Sequence, residues 1–114
     1  MNNYCLVKCM IAIVDRGKSN AIVKFLREKN IMCNFVMQAH GTASTQWQNL
    51  LGIGDTKKDV IVSVMDKTKT KEILEGLGDE FGMRKAGHGI AFFIGVNSIG
   101  GRRLLQYCLG KVED

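Results

Sequence analysis

The sequence predicts an α+β domain with four strands and two helices in the order βαββαβ. Apolar, β-branched runs recur at residues 5–14, 31–38, 59–65 and 90–96. Stretches with helical periodicity, at residues 18–29 and 67–81, sit between the first and second runs and between the third and fourth. The chain has no proline, so every break must fall on a glycine or a polar cap.

The first strand, residues 5–14, is apolar on both faces except at Lys8, which marks a central position. Asp15, Arg16 and Gly17 break it. In the first helix Ala21, Ile22, Phe25 and Leu26 share one side, Lys24, Arg27, Glu28 and Lys29 face water, and Asn30 suits the C-terminal cap. The second strand leads into an irregular segment, about residues 39–56. Within it Ser44 can cap a short helix over residues 45–51 that Gly52 ends. A connection this long is usually functional or mobile. Asp66 can cap the second helix, in which Ile73, Leu77 and Phe81 recur at four-residue spacing beside Leu74 and Gly82 is a natural stop. Gly76 and Gly78 each cost that helix about 1 kcal/mol relative to alanine, so they mark close packing or an early end. The fourth strand alternates Ile90, Phe92 and Ile94 with Ala91, Phe93 and Gly95, and neither face carries a charge. A tail over residues 102–114 follows, with a short terminal element expected at 102–109.

This order is the split βαβ, or ferredoxin-like, pattern, a four-stranded antiparallel sheet. Right-handed crossovers put both helices on one face of the sheet. The other face then has no cover, although three of its strands are apolar on both sides. A monomer avoids an exposed patch of that kind, so the sheets of several copies are expected to pack face to face.

Length and charge set the outer limits. At 114 residues, one domain spanning 1–114 is expected. Hydrophobic residues make up 46% and charged residues 24%, an ordinary globular composition. The formal net charge of +5 fits an anionic partner, but it is spread along the chain and does not form a tail. Basic residues do not interleave with exposed aromatics, which argues against nucleic acid. Cys5, Cys9, Cys33 and Cys108 show no C-x-x-C spacing and read as buried free thiols of a reducing compartment. Met1, Asn2, Asn3 and Tyr4 form no basic leader, and no apolar run nears the roughly 20 residues that span a bilayer. A cytoplasmic protein without membrane insertion is expected.

Motifs for catalysis are lacking. Gly17, Lys18 and Ser19 sit between a strand and a helix as the end of a P-loop does, but the glycine required five positions earlier is Ala12. No serine has a histidine or carboxylate placed beside it by local spacing, so the chain does not read as an enzyme. His40 and His88 each adjoin glycine without further ligands at metal-site spacing. Two candidate anion cradles remain. Gly41, Thr42, Ala43 and Ser44 precede a short helix whose N–H groups favour anions, although an ordinary capped loop accounts for them equally well. Lys85, Gly87, His88, Gly89 and Ile90 form a glycine turn that lets a ligand approach the backbone, or simply joins helix to strand. Arg102 and Arg103 can add charge or be solvated. Lys67, Lys69 and Lys71 read as a solvated face, and Trp47, Leu50, Leu51 and Ile53 as a small core that pins the long segment, the alternative being a hydrophobic contact surface for a partner.

The element order, the long loop after strand two and the turn Gly87, His88, Gly89, Ile90, Ala91, Phe92 resemble the nitrogen-regulatory PII signalling proteins. Residues 13–18, 41–44 and 50–55 look like a divergent PII-like branch. The resemblance covers about residues 5–101. It implies a homotrimer with the sheets at its centre and adenine-nucleotide sites (ATP, ADP or AMP) in clefts between subunits, with no required cofactor. It further implies a loop after strand two, with Gly41 at its base, that docks onto a regulated enzyme, transporter or regulator. It assigns phosphate binding to the turn of Gly87 and Gly89. Three positions depart from that pattern. Ile90 stands where lysine is usual, residues 41–55 hold no tyrosine for nucleotidylation, and Arg102 with Arg103 does not match the alternating arginines. The alternative is a CutA-like or other trimeric module that senses a ligand or metal without nucleotide.

Overall fold

The computed structural model describes residues 7–40, 57–85, 88–96, 100, 101, 103 and 106. The elements follow the expected order: β1 (Val7–Asp15), α1 (Ser19–Glu28), β2 (Cys33–His40), β3 (Lys57–Asp66), a 3-10 turn (Lys67–Lys69), α2 (Thr70–Phe81) and β4 (Ile90–Gly95). The sheet order is β2-β3-β1-β4 with every pairing antiparallel. The fold is therefore α+β and ferredoxin-like, with β1 central as its two apolar faces required. Residues 41–56, which hold the short helix and the small core expected around Trp47, lie outside the described residues, as do Cys5, Cys108 and most of the tail.

Helix α1 ends where Asn30 takes a left-handed conformation, φ 64°. The Asn30 N–H then reaches Arg27 O at 3.0 Å and the Ile31 N–H reaches Leu26 O at 2.9 Å. This is a Schellman ending, with Leu26 and Ile31 both in the core. It explains why β2 starts at Cys33 and not at residue 31: the Ile31 N–H is spent on the helix, and its carbonyl accepts from Asn34 Nδ2 at 2.8 Å. Ala21, expected on the buried side of α1, is exposed. Helix α2 starts at Thr70, three residues later than expected, because the Asp66 carboxylate caps the 3-10 turn instead. It accepts the Thr68 N–H and hydroxyl, each at 2.9 Å. Gly82, φ 68°, ends α2. Lys69 is not merely solvated: its Nζ donates to Lys29 O at 2.7 Å, at the negative end of the α1 dipole.

One face of the sheet is covered by the helices. Met10, Ala12, Val14, Ile61 and Met65 pack there against Ile22, Phe25, Leu26, Ile73 and Leu77. Gly76 is what lets α2 approach α1, since a Cβ there would lie 2.3 Å from Phe25 Cζ. The helix does not end early at this glycine. Ser63 is fully buried among these residues, and its hydroxyl is satisfied by Asn34 Oδ1 at 2.6 Å.

The other face carries neither helix. Cross-strand register puts Cys33, Phe35 and Met37 of β2 beside Val64, Val62 and Val60 of β3. The same register aligns Cys9, Ile11 and Ile13 of β1 with those valines, and with Ile94, Phe92 and Ile90 of β4. Phe35 is 59% exposed, Met37 51%, Ile94 47% and Phe92 43%. The apolar sheet face deduced from the strand pattern is thus present and continuous across all four strands, and Asp15 and Lys58 pair at its end.

Candidate functional site

The end of the sheet where β1 and β2 finish and β3 and β4 begin gathers the polar chemistry of the described residues. Its centre is Asp59, the third residue of β3, which points toward the helices and is almost wholly buried. Asp59 Oδ2 accepts the Gly17 N–H at 3.0 Å and the Ser19 hydroxyl at 2.9 Å. Arg16 Nε lies 3.9 Å from Oδ1. Burial by itself would raise the Asp59 carboxyl. The Gly17 and Ser19 hydrogen bonds and the Arg16 guanidinium outweigh it and hold the group below the ordinary carboxylate range.

Arg16 reaches across β3 to β2. Its Nη2 donates to Ala39 O at 3.0 Å and lies 3.5 Å from Lys58 O, while its backbone N–H meets Lys57 O at 3.4 Å. The guanidinium therefore holds together the two strand ends between which residues 41–56 run. Next to it Lys58 Nζ and Asp15 Oδ1 form a cross-strand pair at 2.5 Å, with Lys58 almost wholly buried.

The sequence-derived candidates divide. Gly41, Thr42, Ala43, Ser44, Gly87 and Arg102 lie outside the described residues. Lys85 is exposed, and its N–H closes a turn onto Gly82 O at 3.0 Å. Exposed His88 lies over Gly82, its Nδ1 3.1 Å from where a Cβ on that glycine would sit. Gly89 has φ 104°, so the turn does require glycine there. The space beside it is already filled, however: an added Cβ would lie 2.7 Å from Ile13 O and 2.8 Å from Val14 Cγ1. On its Cβ side Gly89 therefore packs on β1. Ile90 begins β4 opposite Ile13 on the open apolar face, and Arg103 is exposed.

His40 and Ile90 lie at the same end of the sheet but on opposite edge strands, separated by β3 and β1. Three strand spacings amount to about 14 Å. Sequence reasoning missed Arg16 and Asp59 as site residues. The available signal was an Arg-Gly-x-Ser turn directly after one central strand, with an aspartate opening its neighbour.

No protein-family model matches the sequence, and neither does any curated protein. Solved structures do match. A Thermus thermophilus protein assigned to the PII-like signalling proteins aligns over 77% of this chain and 83% of its own, with 14% identity and TM-score 0.58. CPII, a nitrogen regulatory PII-like protein from Thiomonas intermedia solved with ADP, AMP and bicarbonate, aligns over 77% of this chain and 87% of its own, with 16% identity and TM-score 0.59. The chain has the PII-like fold. A protein of unknown function from Pediococcus pentosaceus shares it, with 13% identity over 85% of this chain and 98% of that one and TM-score 0.59. At these identities the likeness is one of fold. In the PII-like fold of this chain, the glycine turn and the end of β2 occupy opposite edges of one sheet end.

Proposed function

We propose that this chain is a PII-like regulatory protein of the cytoplasm and not an enzyme. It assembles as a homotrimer through the open sheet face, binds a small anionic effector in clefts between subunits, and acts on a partner protein through residues 39–56. The effector class is an adenine nucleotide (ATP, ADP or AMP), and nitrogen regulation is the corresponding signal. The observation that carries the reading is the uncovered face of Phe35, Met37, Phe92, Ile94 and the aligned valines in a chain of PII-like fold. Apolar surface of this extent is stabilised by burial at roughly 25 cal/mol per Å², and another copy of the chain offers a matching face. The opposed edges also support a cleft completed by a neighbour, because one subunit keeps His40 and Ile90 apart. CPII supports the nucleotide class through the ADP and AMP bound in it. Among the described residues no helix is long and apolar enough to cross a membrane. The alternative is the CutA-like or other trimeric module that senses a ligand or metal without nucleotide.

Two measurements test the proposal. Sedimentation equilibrium at micromolar concentration is expected to give a trimer, and a monomer overturns the assembly. Calorimetry with AMP, ADP and ATP is expected to show saturable binding. The double change Arg102→Ala, Arg103→Ala is expected to weaken it by about 1.5–3 kcal/mol, the range for a charge-assisted hydrogen bond. Silence toward all three nucleotides with tight metal binding turns the assignment to the sensing alternative.

A further inference from the structure

We infer that the cleft where the end of β1 meets α1 and α2 is a separate small-molecule site for a compact apolar molecule carrying one carboxylate. The cleft has a volume of about 320 Å³, within the roughly 300–1,000 Å³ typical of small-molecule sites. Buried Val14 and Ile22 form its base. Phe81 and Met83 line it and stay only half-buried although both pack against the core, so an occupant would take their remaining apolar surface out of water. Ala21 lines the α1 side, where its short, exposed side chain leaves the space open.

The polar part of the lining comes from Lys18 and His88. No carboxylate lines the cleft among the described residues. The nearby carboxylates are engaged elsewhere, Asp15 with Lys58 Nζ at 2.5 Å and Asp59 with Gly17 and Ser19. Lys18 has no ion-pair partner among the described residues. The exposed Lys18, among the residues lining a cleft with an apolar base, offers one cation to a single negative charge on an apolar body. A polyphosphate would bring several charges to one cation and leave the apolar surface uncovered. His88 belongs to the turn that leads into β4, so an occupant also touches that turn. The inference does not rest on the nucleotide reading, and its test is run without nucleotide.

The test is a methyl and amide NMR titration of the full chain with sodium benzoate, and with benzamide as the neutral isostere. Benzoate is expected to give saturable shifts centred on Ile22 and Met83, and benzamide to bind roughly tenfold more weakly, as loss of one charge-assisted contact implies. Lys18→Gln is expected to weaken benzoate by the same factor and leave benzamide unchanged. Ala21→Phe is expected to fill the cleft and remove the shifts while the amide spectrum stays folded, with Ala21→Leu as the smaller filler if Phe disturbs the fold. The site is overturned by absence of saturable shifts at Ile22 and Met83 up to roughly 10 mM. It is also overturned by equal affinity for benzoate and benzamide, or by unchanged binding in a folded filling variant.

Discussion

Asp59 accepts the Ser19 hydroxyl at 2.9 Å although the two residues are 40 positions apart. Helix α1 begins without a side-chain cap of its own at Lys18. A carboxylate from β3 supplies the acceptor oxygen that a local Ser, Thr or Asp normally brings to a helix start, and a negative charge with it. The Gly17 N–H bonds to the same carboxylate oxygen. The strand–glycine–helix junction that superficially suggests a P-loop therefore has its anion built in.

That arrangement makes stability depend on pH. Asp59 is held below its unfolded value, so the unfolded chain takes up the proton first as pH falls. Its contribution is complete above about pH 5, where the unfolded aspartate is ionised, and is lost as pH drops through the lower folded value. Asp59→Asn is expected to cost about 1–3 kcal/mol at neutral pH through weakened hydrogen bonds, and to flatten the acid limb. Urea unfolding at a series of pH values checks both. A variant as stable as the parent with the same acid limb would show that Asp59 does not anchor α1.

Two glycines of α2 are expected to respond oppositely to alanine. Helix propensity favours alanine by about 1 kcal/mol at either site. At Gly76 the new Cβ would lie 2.3 Å from Phe25 Cζ in the packed interface with α1, and overpacking costs about 1–3 kcal/mol. At Gly78 the obstruction is the exposed Arg84 guanidinium, the far end of a flexible side chain that pairs with Asp79 on the surface. Gly76→Ala is thus expected to lower the thermal midpoint and Gly78→Ala to raise it. Phe25→Leu should make Gly76→Ala tolerable, and a cycle of these variants reading no coupling would refute the contact.

Adjacent residues of β4 separate fold from assembly. Phe93 packs against the core beneath the helices, whereas Ile94 lies 47% exposed on the open face. Phe93→Asp buries an unpaired charge and is expected to unfold the chain. Ile94→Asp leaves the core intact and is expected to yield a folded monomer, seen as native circular dichroism with a reduced sedimentation mass. If Ile94→Asp sediments like the parent, the open face is not the subunit interface.

Much of this was legible in the sequence because its cause is local. Alternating apolar residues fix the strands, and Asn30 and Gly82 mark helix ends by their ease at positive φ. The uncovered face followed from counting helices against strands. What was not legible depends on register. Only the pairing of Val14 with Asp59 and of Ala39 with Lys58 places the Asp59 carboxylate under α1 and Arg16 beside β2. Lys69 read as solvated because its acceptor, Lys29 O, is 40 positions away. Gly89 read as a ligand approach, and its filled side emerges only when β4 is laid against Ile13.

Arg16 is the residue through which the base of the long segment can be tested. Its Nη2 bonds to Ala39 O at 3.0 Å and approaches Lys58 O at 3.5 Å, one carbonyl on each strand that flanks residues 41–56. Arg16→Ala removes both contacts and leaves the backbone bond from Arg16 N to Lys57 O. The expected cost to global stability is about 1–2 kcal/mol, since the lost bonds are partly exposed to water. The larger effect is expected locally, as faster amide exchange at the end of β2 and earlier proteolysis within residues 41–56. Arg16→Lys is not expected to restore protection, because one ammonium cannot serve two carbonyls and Asp59 with the planar fork of a guanidinium. Exchange measured by mass spectrometry on the three proteins decides the matter. If the β2 end is equally protected in all of them, Arg16 does not clamp the loop base, and control of that segment must lie elsewhere.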